Sequence, residues 1–239
     1  MNWTAPPRYA STVVLIRPDE RRGFEILFTR RPRQMKFMGG FYVFPGGSVH
    51  NEDYSATVVK RCRGLSPDGA QAILGGRLEA RFSLGHWVAG IRELFEEVGV
   101  LLCVTESGED VDLSQATIRQ RLEQERAALA RDRLDFGAFL EAEDLYCNLP
   151  RLAYLYHRVT PDIYPIRFDA RFYLALLPAG QAPLDRSEEV AESLWLAPGE
   201  ALGRAERADF PLIPATSYVL KNLAQFSWEE LQARYGLRA

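Results

Sequence analysis

The sequence predicts an α/β (α+β) fold in which a mixed sheet carries helices on its faces. Apolar runs rich in β-branched and aromatic residues occur in both halves of the chain and predict strands. A central segment has the apolar spacing of an amphipathic helix, and three further helical segments close the chain. The 239 residues are 47% hydrophobic and contain no clear linker, so we expect a single domain over residues 1–239.

The first third of the chain is predicted to form a hairpin followed by a glycine turn. The runs 11–16 and 24–29 are strand-like, and a proline and a glycine between them favour a hairpin. A short strand over 41–44 then stops at a Pro-Gly-Gly sequence. Residues 54–82 contain repeated turn signals, so we expect an inserted segment there with one or two short helices.

Residues 83–98 form the clearest predicted helix. Its apolar residues have the spacing of one helix face and are Trp87, Val88, Ile91, Leu94, Phe95 and Val98. Ser83 is the expected N-cap, Gly99 is the expected residue after the C-terminus, and 100–104 should be a buried strand.

The remaining chain alternates between predicted helices and strands. Helices are expected over 113–133 and 135–142, strands over 152–159, 167–177 and 190–196, and helices over 198–207, 215–225 and 228–235. The last three helices form an expected C-terminal helical extension of about residues 198–239.

Composition and charge exclude several classes of protein. The net charge of −3 gives no general attraction to nucleic acid or to an anionic membrane, so neither is an expected partner. The longest strongly apolar run, 98–104, is far shorter than a membrane span, and residues 1–10 contain no apolar stretch of signal-peptide length. Three cysteines without metal-type spacing favour a reducing compartment, so we expect a cytoplasmic protein.

The central helix carries a stripe of carboxylates opposite its apolar face. At about 100° per residue, Glu93, Glu96 and Glu97 share a sector roughly 100° wide. Their mutual repulsion costs a few tenths of a kcal/mol per pair, roughly, and a divalent cation would offset it. Oxygen ligands suit Mg²⁺ or Mn²⁺. A solvated acidic face is the alternative interpretation.

The stripe lies within a longer pattern. Residues 92–100, read as Arg-Glu-Leu-Phe-Glu-Glu-Val-Gly-Val, resemble the second half of the Nudix box, and Gly47 with Asp53 has the spacing of its first half. Two features depart from the usual box. The acid is an aspartate, with Glu52 beside it as an alternative, and 38 residues separate it from Arg92 where the family usually has a much shorter gap. The acyl-coenzyme A diphosphatase branch is similar in both respects and in the block 150–169.

The resemblance implies a Nudix-type α/β/α sandwich and a Mg²⁺-dependent (or Mn²⁺-dependent) hydrolase of nucleoside diphosphate derivatives. The implied metal ligands are Glu93, Glu96, Glu97 and the carbonyl of Gly46. Arg92 would pair with Asp53, and Gly47 would let the backbone approach the site. The implied catalytic residues are Glu96, Glu97 and a late glutamate, Glu189. Glu188 and Glu192 are close rivals of Glu189.

The predicted substrate-binding residues are a basic segment and several aromatic residues. Arg30, Arg31, Arg33 and Lys36 resemble the coenzyme A motif of another Nudix branch and suit phosphate groups, although a solvated basic loop is the alternative. Phe168, with Tyr164 and Phe172, could contact adenine or an acyl chain, or could belong to the core.

The favoured function is cleavage of coenzyme A or acyl-coenzyme A to adenosine 3′,5′-bisphosphate and (acyl-)phosphopantetheine. Hydrolysis of ADP-ribose, dinucleotides or nucleoside diphosphate sugars is the first alternative. A catalytically silent Nudix domain that senses such a ligand is the second. Family analogy also allows a homodimer.

Overall fold

The computed structural model describes residues 6–113 and 115–237. The strands in these residues are β1 Arg8–Asp19, β2 Gly23–Arg30, β3 Tyr42–Val43, β4 Gly46–Ser48, β5 Cys62–Arg63, β6 Cys103–Val104, β7 Tyr146–Asn148, β8 Ala153–Val159, β9 Phe168–Leu176 and β10 Glu192–Leu196. The α-helices are α1 Ala56–Lys60, α2 Pro67–Ile73, α3 Ala80–Val98, α4 Ala116–Leu129, α5 Phe136–Ala142, α6 Pro198–Glu206, α7 Pro214–Leu223 and α8 Trp228–Tyr235.

The main sheet is mixed, as predicted, and has the order β10-β2-β1-β9-β8. β1 and β2 form the predicted antiparallel hairpin, whereas β1 and β9 are parallel. The N-terminal half of β1 pairs with β4 instead of β2, and β3 adds to β2. The glycine turn is therefore placed against the first strand, at the point where β2 has diverged from it.

Each face of the main sheet packs against helices. Successive side chains of β1 point to opposite faces: Val13 belongs to a core that contains α3 residues such as Ile91, and Val14 to a core that contains α7 residues such as Leu220. The structure is therefore the expected α/β/α sandwich. The apolar sides of the three C-terminal helices are used within the chain, because Ala201 on α6, Leu220 and Leu223 on α7 and Leu231 on α8 are fully buried.

The central helix begins earlier than its periodicity indicated. α3 starts at Ala80, and the carboxylate of Glu79 accepts a hydrogen bond from the Phe82 N–H at 2.9 Å. The prediction that Ser83 is the N-cap is wrong, because Ser83 lies inside the helix and its hydroxyl donates to the Glu79 carbonyl at 2.9 Å. The C-terminal prediction is confirmed, since Gly99 adopts a left-handed φ of 74°.

The segment between Asp53 and α3 is folded against the rest of the chain. It contains the two short helices α1 and α2, in agreement with the sequence prediction, and the strand β5. β5 pairs with β7 in a small second sheet of order β5-β7-β6, which the sequence did not predict. Only residues 103 and 104 of the predicted strand 100–104 pair in it, although all five residues are buried.

The later elements agree with their predicted positions to within a few residues at each end. Ser114, within the predicted helix 113–133, lies outside the described residues, as do residues 1–5 and 238–239. Across the described ranges, no helix combines the length and the apolar character that a membrane crossing would need.

Candidate active site

Two glycines bring the β4 turn into direct contact with the acidic face of α3. The Gly46 N–H donates to Glu97 Oε2 at 3.2 Å. A Cβ on Gly47 would lie 2.5 Å from the carboxylate carbon and oxygens of Glu93. A Cβ on Gly46 would instead meet the backbone of β1, and its φ of 152° is one that other residues rarely adopt. Glycine is therefore required at both positions if the carboxylates are to stand against this turn.

A buried ion pair joins the turn to the helix. Arg92 Nε donates to Asp53 Oδ1 at 2.8 Å and Arg92 Nη2 donates to Asp53 Oδ2 at 3.1 Å. Asp53 is fully buried, and it also accepts a 2.8 Å hydrogen bond from the His50 N–H. The alternative acid, Glu52, is exposed. The chain thus brings Asp53 and Arg92 together despite the 38 residues between them.

The same guanidinium contacts two carboxylates of the stripe. Arg92 Nη1 donates to Glu93 Oε1 at 2.9 Å and to Glu96 Oε2 at 3.1 Å, and Nη2 also donates to the Ser48 carbonyl at 2.9 Å. Three carboxylates (those of Asp53, Glu93 and Glu96) therefore bind one arginine, and a fourth, that of Glu97, lies next to them against the Gly46 N–H. Their negative charge exceeds the positive charge that this arginine supplies.

Burial raises the pKa of the stripe carboxylates. It raises the pKa of Glu93 to about 7, with smaller contributions from the charges of Glu96 and Asp53 and an opposing one from Arg92. The pKa of Glu97 is raised well above its ordinary value by burial and then by the charges of Glu93 and Glu189. Burial also raises the pKa of Glu96. These groups consequently favour either protons or a bound cation as partners.

The donor set suits a hard divalent cation. Carboxylate oxygens in excess of the local positive charge are the ligands that Mg²⁺ and Mn²⁺ prefer. Within the described ranges, no three Asp, Glu, His or Cys side chains converge as a ready-made metal site. Arg92 binds one oxygen of Glu93 and one of Glu96, which leaves the second oxygen of each carboxylate for a cation.

The structure separates the three late glutamates. Glu188 forms an ion pair with Arg131. Glu192 forms an ion pair with Arg30 at 3.4 Å and accepts a hydrogen bond from the Tyr42 hydroxyl. Glu189 lines both cavities that contain Glu93 and Glu96 in their walls, whereas Glu188 lines only the smaller of the two. Of these three, Glu189 is the one whose charge contributes to the raised pKa of Glu96 and of Glu97.

Two cavities meet at the cluster. The larger has a volume of about 470 Å³ and includes Glu93, Glu96 and Glu189 in its lining. Its other walls are largely apolar and aromatic and include Phe37, Met38, Phe44, Tyr164, Phe168 and Phe172. The smaller cavity, about 260 Å³, lies between α3, the C-terminal part of α4 and residues 187–189. A ligand in the larger cavity would have one end at the carboxylates and the rest against aromatic rings.

The predicted basic residues reach different surroundings. Arg31 lines the larger cavity, with its Nε donating to the Phe37 carbonyl at 3.1 Å. Arg30 lies beside Glu192 and its Nε donates to the Gly40 carbonyl at 3.4 Å. In the described structure, Arg30, Arg33 and Lys36 are not among the residues that line the larger cavity.

Sequence reasoning missed one side of this cavity. Arg158 on β8 and residues 213–216 at the start of α7 line it. No local motif marked these residues, since they are far apart in the chain and meet only because α7 packs against β8.

Comparison with known proteins gives sequence relatives at modest identity. No family model matches the chain. The chain is 26% identical to acyl-coenzyme A diphosphatase NUDT19 of Xenopus laevis over 85% of its length, and 27% identical to putative nudix hydrolase 7 of Caenorhabditis elegans over 98%. It spans 60% and 66% of the length of these two relatives.

A solved structure is similar over nearly the whole chain. The crystal structure of a NUDIX hydrolase from Alicyclobacillus acidocaldarius has a TM-score of 0.80 and 28% sequence identity, and the match covers 96% of both chains. The arrangement of sheet and helices described above is therefore shared by a known protein.

Proposed function

Because the chain belongs to the Nudix hydrolases, we propose that it hydrolyses the diphosphate bond of a nucleotide derivative with the aid of a divalent cation. The proposal rests on the buried carboxylate cluster at the junction of two cavities. Keeping so many carboxylates in one buried place costs free energy unless a cation compensates them.

Glu93, Glu96 and Glu97 would hold the cation, together with the carbonyl of Gly46. Bound Mg²⁺ or Mn²⁺ supplies a Lewis acid that neutralises diphosphate charge and makes water a better nucleophile. Arg92 is a positioning residue in this proposal. Its bonds to Asp53 and to the Ser48 carbonyl hold α3 against the glycine turn, so that the carboxylates stay aligned.

Glu189 is the proposed proton acceptor for the attacking water. It faces the cluster, and in the described part of the chain it forms no ion pair that would hold it away. Glu188 and Glu192 are weaker candidates because arginines already bind their carboxylates. Glu96 and Glu97 would contribute to catalysis through the cation that they hold.

Coenzyme A or acyl-coenzyme A is the proposed substrate, with adenosine 3′,5′-bisphosphate and (acyl-)phosphopantetheine as products. Two relatives are named acyl-coenzyme A diphosphatase. The larger cavity is also compatible with such a ligand, since it combines aromatic walls with Arg31 near the acidic end. Phe168, whose ring centroid lies 5.3 Å from that of Phe37, is the proposed contact for an adenine or acyl group.

A panel assay tests the proposal. The protein is incubated with Mg²⁺ or Mn²⁺ and with coenzyme A, an acyl-coenzyme A, ADP-ribose, NADH or Ap₄A, and the products are identified by mass spectrometry. We expect the highest kcat/KM with the coenzyme A compounds, and a loss of several orders of magnitude in Glu97→Gln. Glu52→Gln, at an exposed position, is the matched control. Preference for ADP-ribose would reject the coenzyme A assignment, and hydrolysis of no compound would favour a ligand-sensing domain.

Cytoplasmic location and homodimer formation are further parts of the proposal. The location rests on the three cysteines, Cys62, Cys103 and Cys147, whose number and spacing in the sequence favour a reducing compartment. The homodimer rests on family resemblance, and size-exclusion chromatography with light scattering tests it directly.

A further inference from the structure

One wall of the larger cavity is formed by directly paired residues on four neighbouring strands, and this row begins beside the carboxylate cluster. Ser48 on β4 pairs with Ala10 on β1, Ala10 with Ala170 on β9, and Ala170 with Arg158 on β8. At 4.7–4.9 Å per strand, the Arg158 backbone lies about 14 Å from that of Ser48. Ser48, Ala10 and Ala170 have small side chains, so a ligand can lie along this row.

The N-terminus of α7 opens into the cavity near the far end of the row. Pro214, Ala215 and Thr216 line the cavity, and the N-cap residue, Ile213, makes no capping hydrogen bond with its side chain. Within the described ranges, the N–H groups of Ala215 and Thr216 have no acceptor. A helix terminus of this kind carries partial positive charge and free donors, which favour an anion.

Thr216 provides an independent indication of a ligand at this place. Its side chain is almost fully buried, with 1% of its surface exposed, and it lines the cavity. Its hydroxyl makes no hydrogen bond with any residue that the structure describes. Because the side chain is held in the cavity wall, this hydroxyl is available to form a hydrogen bond with a ligand oxygen in the cavity.

Arg158 brings a full positive charge to the same wall. Its guanidinium carbon lies 5.9 Å from the ring centroid of Tyr218, which follows Thr216 by two residues on α7. Tyr218 is itself stacked on Tyr156, with ring centroids 4.7 Å apart. Arg158 is therefore held against the second turn of α7 and lines the same cavity as Thr216, and it forms no ion pair within the described ranges.

We propose that Arg158, Thr216 and the N-terminus of α7 form a subsite for a phosphate monoester that the substrate carries apart from its scissile diphosphate. This subsite rests on the proposed function, because it places the scissile diphosphate at the carboxylate cluster. The separation along the sheet leaves room for a nucleoside between the two anionic groups. The ligand class is thus a nucleoside with a second phosphate on its ribose, as in coenzyme A, and the basic segment 30–36 contributes only Arg31 to the cavity.

Binding to the metal-free protein tests the subsite without relying on catalysis. Isothermal titration calorimetry compares adenosine 3′,5′-bisphosphate with AMP on the full chain, its variants Arg158→Gln and Thr216→Val, and the exposed control Arg77→Gln. We expect the wild type and the control to prefer the bisphosphate by about 10- to 100-fold, as for charge-assisted hydrogen bonds. Each cavity variant should reduce that preference about tenfold and leave AMP binding unchanged.

Kinetics with coenzyme A and 3′-dephospho-coenzyme A complete the test. The ratio of their kcat/KM values should fall in Arg158→Gln and Thr216→Val and stay at the wild-type value in Arg77→Gln. Equal binding of the two nucleotides by the wild type, or an unchanged preference in both cavity variants, would overturn the subsite. A clear bisphosphate preference without hydrolysis of either coenzyme A compound would support the subsite and reject the proposed function.

Discussion

Replacing Asp53 by asparagine removes one charge from the buried ion pair that joins the glycine turn to α3. In the wild type, both carboxylate oxygens accept hydrogen bonds from Arg92, and Oδ2 also accepts one from the His50 N–H. In either orientation of the asparagine amide, its NH₂ group would face N–H groups of Arg92 or His50, with which it cannot form a hydrogen bond. Breaking a buried pair typically costs about 3–5 kcal/mol.

The expected loss for Asp53→Asn lies below that range, because Arg92 keeps its bonds to Glu93 and Glu96. Removing the Asp53 charge also relieves its repulsion of those two carboxylates. We therefore expect the free energy of unfolding to fall by about 2–3 kcal/mol, which is roughly 4–12 °C in Tm for a chain of this size.

Urea unfolding in EDTA measures this loss, with Glu52→Gln as the neighbouring control. Glu52 is exposed, so its substitution should change the free energy of unfolding by less than about 0.5 kcal/mol. Equal losses in the two variants, or an Asp53→Asn protein as stable as the wild type, would refute the assigned role of the ion pair.

Three other outcomes follow from the cluster. Burial raises the folded-state pKa of Glu93 to about 7, so its protonation favours the folded state. This contribution to the free energy of unfolding is complete below about pH 4.5 and is lost as the pH rises through 7. Urea unfolding at pH 5.5 and 8.5 should show this decline in EDTA and a smaller one with Mg²⁺, and a flat profile in EDTA would contradict it. Glu189→Gln should lower kcat about 100-fold or more with its circular dichroism unchanged, whereas Glu188→Gln should keep near-wild-type kcat; similar kcat values in both would reject Glu189 as the base. Gly47→Ala should displace the Glu93 carboxylate and raise the Mg²⁺ concentration for half-maximal rate about tenfold or more, and an unchanged Mg²⁺ dependence would argue against Glu93 as a ligand.

The sequence alone determined those features that depend on neighbours within one turn or one strand. Helical periodicity placed Glu93, Glu96 and Glu97 opposite the core face of α3, and β-branched runs located the hairpin. The N-cap of α3 was misjudged because Glu79 and Ser83 are both residues that can accept from a backbone N–H. Only the path of the preceding chain decides which of them stands at the helix start.

Only the tertiary structure decided which residues far apart in the chain form ion pairs and which of them line the same cavity. Arg131 and Arg30 bind Glu188 and Glu192 and leave Glu189 beside the cluster. Strand order brings Arg158 to the cavity that Thr216 reaches from another element. These outcomes depend on sheet register and on where loops return, and both are set by packing over the whole chain, which local residue patterns do not encode.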